Sequence, residues 1–260
     1  MSHFKPALRS IVAIIFIVTL VSCTSQKSVK KEKTMDMATN AYQMGSVHFI
    51  DGKYLEALKS LTRAVELAPD KAEFHNALAL TYGARGHYEL AIEHFTRAIA
   101  LDPMLSEAYV NLGALYLNEK EWDKAVEVSR GALKNVFYKT PEFAYNNIAW
   151  ALLNKGDFDG AIESLSKAVK LNPGYKWGYN NLGLALERAD RDDDALRAYQ
   201  SAINIDQKFA AAYLNMGAVL KRNNDKVAAG NAFNKVIEVA PDSPWAESAK
   251  RYLEELRSAP

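Results

Sequence analysis

Two consecutive stretches decide the fold: DGKYLEALKSLTRAVELAPD at residues 51–70 and RGHYELAIEHFTRAIALDP at residues 85–103. Each places a tyrosine after a glycine-containing turn, spaces two alanines seven residues apart, and carries a proline near its end. The small alanines let a helix approach its neighbour closely. Since proline cannot continue a helix interior, each stretch predicts one helix that stops just before its proline.

The same phrase returns along most of the chain. Its first alanine recurs as Ala57, Ala91, Ala125, Ala161, Ala195 and Ala229. Successive alanines are 34 residues apart, except for 36 between Ala125 and Ala161. A fixed period of this length indicates a solenoid of stacked helical units, in which each unit buries its apolar face only against its neighbours.

This period closely resembles the tetratricopeptide repeat, a family in which each unit forms two antiparallel helices. The resemblance implies an all-α fold, a right-handed solenoid of six tetratricopeptide helix hairpins plus a C-terminal capping helix. The repeats occupy residues 38–243, divided as 38–71, 72–105, 106–141, 142–175, 176–209 and 210–243. Residues 244–260 are predicted to be the capping helix and tail, because Ser243 and Pro244 form a helix start ahead of apolar residues at helical spacing.

Position 8 of each repeat, counted from its first residue, is small. It is Gly45, Ala79, Gly113, Ala149, Gly183 and Gly217 in the six repeats. Glycine inside a helix costs about 1 kcal/mol relative to alanine, which is tolerated where a larger side chain would hold two helices apart. We therefore expect close contact between helices at this position.

The third repeat breaks the period. It lacks a terminal proline and gains two residues around NVFYKTP at 135–141. We predict an extended connection here, dividing the solenoid into two halves of three repeats. Whether the insertion has a function of its own stays open.

The N-terminal region has the pattern of an export signal. Lys5 and Arg9 precede an apolar run at 11–21, which is shorter than the ~20 residues that a bilayer-spanning helix needs. The run ends in LVSC at 20–23, which resembles the lipobox of bacterial lipoproteins and contains the only cysteine in the chain. The alternative is an uncleaved signal anchor with an incidental cysteine.

By that resemblance, residues 1–22 are a lipoprotein signal peptide and Cys23 carries the lipid. Several acyl chains anchor a protein far more firmly than one, because each buried CH₂ adds about 0.8 kcal/mol. Thr24, rather than aspartate, follows the cysteine, and the same resemblance then predicts the periplasmic face of a bacterial outer membrane. Residues 23–37 are polar and are predicted to be a lipidated flexible tether, with lysine contacts to anionic headgroups as the alternative.

Composition argues against several classes of function. A formal charge of +1 disfavours a nucleic-acid binder, and a single cysteine excludes an intrachain disulfide framework and a cysteine-rich zinc site. No catalytic or nucleotide-binding motif is present. The histidines after the signal fall at different repeat positions, as His48, His75, His87 and His94. We therefore predict no enzyme, no cofactor, no metal site and no small-molecule substrate, and a protein or peptide client as the partner.

Asparagines recur at position 6, on the helix that lines the inner groove in the family. They are Asn111, Asn147, Asn181 and Asn215. An amide both donates and accepts hydrogen bonds, so this ladder could hold the backbone of an extended peptide. The alternative is that these amides satisfy local polar groups.

Apolar residues at the other inward positions of the fourth and fifth repeats predict a binding patch. They are Phe143, Trp150, Trp177 and Leu184. Exposed apolar patches mark partner sites, and tryptophan is enriched at interaction hot spots. The alternative places Trp150 in the inter-helix core. Trp122, which opens a second helix, is predicted to be a wedge between hairpins rather than a binding residue.

A lipid anchor, a short tether and six repeats resemble the pilotin lipoproteins of type IV pilus systems. These proteins help the secretin subunit to reach the outer membrane or to oligomerise there, and FYKTPEFAYNN at 137–147 is reminiscent of their central region. The resemblance implies a non-catalytic pilotin-like factor with a secretin subunit as its client. The alternative is a general envelope scaffold or adaptor that recruits a protease or a peptidoglycan enzyme.

Overall fold

The computed structural model describes residues 29–258, and the regular secondary structure in this part of the chain is entirely α-helical. The chain divides into two compact units, the first ending at Pro103 and the second beginning at Met104. Within each unit, consecutive helices pack against one another as hairpins. The predicted all-α fold of tetratricopeptide hairpins is confirmed.

The helices follow one another with short connections. In the first unit, α1 covers residues 29–50 and is followed by α2 (Tyr54–Leu67), α3 (Ala72–Ala84) and α4 (Tyr88–Leu101). The second unit contains α5 (Ser106–Asn118), α6 (Trp122–Ala132), α7 (Pro141–Lys155), α8 (Phe158–Leu171), α9 (Lys176–Arg188), α10 (Asp192–Ile205), α11 (Ala210–Arg222), α12 (Lys226–Val239) and α13 (Pro244–Ser258).

The two helices of each hairpin meet at positions 8 and 24 of the repeat. Position 24 is buried in every repeat, as Leu61, Phe95, Ser129, Leu165, Tyr199 and Phe233. A Cβ atom at Gly183 would lie 2.5 Å from the Tyr199 ring, and one at Gly217 would lie 2.6 Å from the Phe233 ring. The second helix therefore comes so close to the first only because position 8 has little or no side chain.

The turn inside each hairpin contains one residue with positive φ. These residues are Gly52, Gly86, Lys120, Gly156, Asp190 and Asn224. Such a left-handed conformation costs an L-residue roughly 1–2 kcal/mol and is adopted routinely only by glycine, asparagine and aspartate. Lys120, with φ of 60°, is the exception.

Aromatic stacking joins successive hairpins. In the first unit, Tyr42 stacks on Phe74 with ring centroids 4.8 Å apart. In the second unit, Phe233 stacks on Tyr252 of α13 at 4.9 Å. Because Ala249 of α13 is fully buried in the same cluster, α13 covers the apolar face that the last hairpin would otherwise expose, as a terminal repeat requires.

The prediction of a flexible tether is wrong for residues 29–37, which belong to α1. Met35 packs against a buried cluster that includes Ala38, Ala64 and Phe74. Burial of this apolar surface offsets the entropy cost of ordering the segment, so the helix begins before the first repeat.

The predicted signal at 1–22, Cys23 and the tether up to residue 28 lie outside the described residues, as do residues 259–260. The lipid anchor therefore stays a prediction. Between residues 29 and 258, no helix has both the length and the apolar character that crossing a membrane requires.

The predicted division into two halves of three repeats is wrong. The two compact units separate after Pro103, not at the extended connection of the third repeat. That connection, 133–140, is eight residues long against four at 172–175, yet α6 still packs against α7 across it. The inserted residues are accommodated in the loop, and the helix stacking continues past them.

The side chain of Asn135 orders this connection. Its Nδ2 donates to the carbonyl oxygen of Met104 at 2.9 Å, and its Oδ1 accepts from the Phe137 amide at 3.0 Å. Val136 and Phe137 project from the loop and are among the most exposed apolar residues of the second unit. The connection is thus an ordered turn with an apolar tip.

Two histidines of the first unit form a hydrogen bond between α3 and α4. His75 Nδ1 lies 2.9 Å from His94 Nδ1, and His75 Nε2 lies 3.2 Å from the carbonyl oxygen of Pro69. Because a carbonyl only accepts, His75 Nε2 is the donor, and His75 Nδ1 accepts from His94 Nδ1. The hydrogen bond remains when His94 is also protonated on Nε2 and is therefore charged. It is lost when both imidazoles are charged, because neither Nδ1 can then accept.

Burial lowers the pKa of both imidazoles. For His94, the charge of a protonated His75 lowers the pKa further, and for His75 the charge of Arg97 does so. Glu93 acts in the opposite direction on both, and the Pro69 hydrogen bond opposes the lowering at His75. The folded chain therefore favours the neutral pair.

The pKa of each imidazole is lower in the folded chain than the unfolded value of ~6.5, so the unfolded chain takes up protons first as the pH falls. We therefore expect the thermal stability of the protein to fall as the pH drops from about 7.5 to about 5. His94→Asn keeps a donor near the Nδ1 position and cannot titrate, so its thermal midpoint should fall less. His87 is exposed, and His87→Gln should retain the full wild-type drop. Thermal melts followed by circular dichroism measure this difference; equal drops in all three proteins would contradict it.

Candidate functional site

The second unit has an open cavity of about 550 Å³ along the first helices of its hairpins. Residues of α5, α6, α7 and α9 and of the α5–α6 turn line it, namely Ala114, Leu117, Asn118, Lys120, Trp122, Asn146, Trp150, Trp177 and Asn181. We call this cavity the tryptophan groove. Apolar walls with a few polar groups are typical of binding sites.

Three of the four tryptophans in the chain lie in the tryptophan groove. Trp150 is 40% exposed and Trp177 is 43% exposed, so neither indole is buried in the core. Trp122 is half-buried and lines the same groove, although its repeat position suggested a purely structural wedge. Sequence reasoning missed it because the repeat pattern shows where a helix starts but not which cavity its first residue lines.

A smaller cavity of about 160 Å³ adjoins Trp150. It is lined by Trp150, Leu153, Asn154, Leu184 and Arg188, and we call it the leucine pocket. Trp150 is therefore shared by the two cavities, and Leu184 lies in the pocket rather than in the groove. A ligand that crosses Trp150 would contact both.

The predicted aromatic patch is divided in the structure. Phe143 lines neither cavity; its ring packs edge-on against Tyr175 with centroids 5.6 Å apart. Burial raises the pKa of Tyr175 to about 12. Trp177 packs edge-on against Phe209 at 4.6 Å, which fixes one side of its indole and leaves the other toward the groove.

The asparagine ladder joins neighbouring hairpins. Asn147 is 8% exposed, and its Nδ2 donates to the carbonyl oxygen of Val110 at 2.9 Å, linking α7 to α5. This geometry supports the alternative in which the amide satisfies a local polar group. Asn111, the ladder residue of α5, is half-buried.

Further amides form a chain across α7, α9 and α11. Asn181 Nδ2 donates to Asn146 Oδ1 at 2.8 Å, and Asn215 Nδ2 donates to Asn180 Oδ1 at 3.0 Å. Asn180 Nδ2 in turn donates to Asn181 Oδ1 at 3.3 Å, which connects the two pairs. Sequence reasoning did not identify Asn146 and Asn180, which lie at position 5. The Asn-Asn pairs at 146–147 and 180–181 could have indicated them.

Both cavities are basic. Lys120 lines the tryptophan groove and Arg188 lines the leucine pocket, while neither lining contains a carboxylate. Neither side chain forms an ion pair within residues 29–258. In the same part of the chain, no group of three His, Cys, Asp or Glu side chains could hold a metal ion.

Comparison with known sequences identifies the class of protein. Profiles of the tetratricopeptide repeat match residues 36–104, 76–136, 143–175 and 210–243, and a TPR repeat profile matches residues 191–224. Together with the hairpin fold, these matches show that the chain belongs to the tetratricopeptide-repeat proteins.

Within that class, the chain is similar to the type IV pilus assembly protein PilF of Pseudomonas aeruginosa strain PAO1. The two are 26% identical over 168 residues, which cover 63% of this chain and 67% of PilF. The solved structure of P. aeruginosa PilF superposes with a TM-score of 0.72 at 19% identity, over 86% of this chain and 99% of that chain.

Two other solved structures share the fold. PilW, a widely conserved type IV pilus biogenesis factor, has a TM-score of 0.74 at 19% identity, over 81% of this chain and 97% of that chain. YrrB, a TPR protein with an unusual peptide-binding site, has a TM-score of 0.56 at 22% identity, over 74% of this chain and 97% of that chain. At these identities the likeness concerns the fold.

Asn147→Ala should lower the free energy of unfolding by about 1–3 kcal/mol, because the Val110 carbonyl loses a buried donor. Asn118→Ala is the matched control, since Asn118 is exposed at the end of α5 and its loss should change stability by no more than about 0.5 kcal/mol. Urea unfolding followed by circular dichroism measures both. If Asn147→Ala unfolds like the wild type, the structural role of this amide is wrong.

Proposed function

We propose that this protein is a non-catalytic, lipid-anchored assembly factor that binds a client protein through the tryptophan groove, and that the client is the secretin subunit of a type IV pilus system. The observation that carries the proposal is that three tryptophans line one groove and that two of them, Trp150 and Trp177, are exposed. Tryptophan is the residue type most enriched at interaction hot spots, and exposed apolar clusters mark partner sites. The sequence similarity to PilF supports the choice of a pilus system.

A client segment would be held mainly by indole stacking and apolar contact. The amides of Asn147, Asn181 and Asn215 already bond to neighbouring hairpins, so most of the ladder serves the scaffold. The aromatic walls offer apolar cover to a β-rich subunit, whose unpaired strands are prone to aggregate before assembly. An assembly factor for an oligomeric pore has to protect its client from aggregation in this way.

The proposed anchor keeps the first unit near the membrane. Helix α1 is already formed at residue 29, so residues 24–28 are the longest linker that can separate it from a lipid on Cys23. Five extended residues span at most roughly 18 Å. We propose that the protein is held in this way at the periplasmic face of the outer membrane.

Cys23→Ser should keep the protein out of the outer membrane, because the thioether to the lipid cannot form. We expect the wild type in the outer-membrane fraction with incorporated radiolabelled palmitate, and the variant without label and outside that fraction. Immunoblotting of separated membranes measures the location. A Cys23→Ser protein that remains in the outer membrane would show that another element anchors it.

Deletion of the gene in its source bacterium should reduce secretin multimers in the outer membrane, and Trp150→Ala combined with Trp177→Ala should fail to restore them. Each indole lost from a hot spot costs about 2 kcal/mol or more of binding. Trp245→Ala is the matched control, because Trp245 is 41% exposed on α13 outside the groove, and it should restore the multimers fully.

The readout is the multimer band in outer-membrane fractions, with circular dichroism to check that each variant is folded. Unchanged multimers after deletion would rule out the secretin as client. If a protease or a peptidoglycan enzyme instead co-purifies with the wild type and is lost with the double tryptophan variant, the adaptor alternative is correct.

A further inference from the structure

We propose that the tryptophan groove and the leucine pocket together bind one extended, acidic segment of a partner protein. Its apolar side chain lies against Trp150, and carboxylates on either side of it pair with Lys120 and Arg188. The inference rests on the proposed function, which it deepens by naming the chemistry of the bound segment.

The first support is the charge of the two cavities. Their combined lining contains two cations and no carboxylate, and Trp150 belongs to both. A segment that crosses Trp150 therefore meets one cation in each cavity. Charge-assisted hydrogen bonds from Lys or Arg to carboxylates are the strongest polar contacts such a surface can make.

The second support is that three carboxylates close to these cations in sequence are already engaged. Glu187 is 2.8 Å from Arg222 and accepts a hydrogen bond from the Tyr199 hydroxyl at 3.0 Å. Asp123 pairs with Lys155. Glu121, next to Lys120 in sequence, pairs with Lys124 at 3.4 Å. Lys120 and Arg188 themselves form no salt bridge between residues 29 and 258, so both can pair with a carboxylate of an external partner.

The third support is the backbone of Lys120. The equivalent turn residue is glycine, aspartate or asparagine in every other repeat, whereas Lys120 adopts the left-handed conformation with a long side chain. A residue held in an unfavourable backbone conformation indicates a role outside the stability of the fold. That role is to place an ammonium group at the mouth of the tryptophan groove.

The test uses the detergent-solubilised full chain and three fluorescein-labelled peptides of about twelve residues. All three share a central Leu-Phe-Leu, flanked on both sides by glutamates, lysines or serines. Fluorescence anisotropy should show the glutamate-flanked peptide binding at least about tenfold more tightly than the lysine-flanked one. The difference should shrink as salt is added, because salt screens exposed charges.

Lys120→Gly separates binding from folding. Glycine fits the left-handed turn, so the thermal midpoint should be unchanged or higher, while affinity for the glutamate-flanked peptide falls several-fold. Arg188→Gln should have a similar effect on affinity, and the double variant should lose the preference for glutamate. Lys250→Gln, an exposed charge on α13 outside both cavities, should bind like the wild type.

The inference that the bound segment is acidic would be overturned by any of three results. These are equal binding of the three peptides, tighter binding of the lysine-flanked peptide, or full affinity of Lys120→Gly for the glutamate-flanked peptide. If Trp150→Ala then removes binding of all three peptides equally, the groove remains a client site without charge selection. Absence of binding by any peptide also overturns the inference, whereas the proposed function is decided separately by the secretin multimers in the deletion strain.

Discussion

The contact between positions 8 and 24 of each repeat is the constraint on which the rest of the structure depends. Gly183 faces the fully buried ring of Tyr199, and Gly217 faces that of Phe233, at distances that leave no room for a β-carbon. Close approach here sets the spacing of each hairpin, and within each unit hairpins of equal spacing stack in register. The first helices then lie side by side, and only in that arrangement do α5, α7 and α9 line one groove.

The asparagine amides contribute a second layer of order. Apolar packing alone fixes the distance between hairpins better than their rotation, because it is non-directional. The hydrogen bonds from Asn181 to Asn146 and from Asn215 to Asn180 are directional and repeat with the period of the solenoid. They hold the first helices in a defined register, so that Trp150 and Trp177 reach the same cavity.

Much of the fold follows from the sequence, because the repeat uses short-range signals. Turn residues such as Gly52 and helix stops such as Pro103 act locally, and the period of the alanines identifies the family. The site was only partly predictable. Position along the repeat identified Trp150 and Trp177 as inward-facing, but the contribution of Trp122 depends on packing between repeats. The helical state of residues 29–37 was missed because a polar segment gave no sign that Met35 has a partner.

The location of the tryptophans has an optical consequence. Three of the four indoles line one groove, two of them accessible to water, so most of the intrinsic fluorescence of the protein originates at this surface. Any molecule that displaces water from Trp150 and Trp177 alters the polarity sensed by these chromophores, whereas the fourth, Trp245, lies on α13 outside the groove and adds a constant background. The chain therefore carries an intrinsic spectroscopic probe of its groove, and occupancy can be followed without attaching a dye.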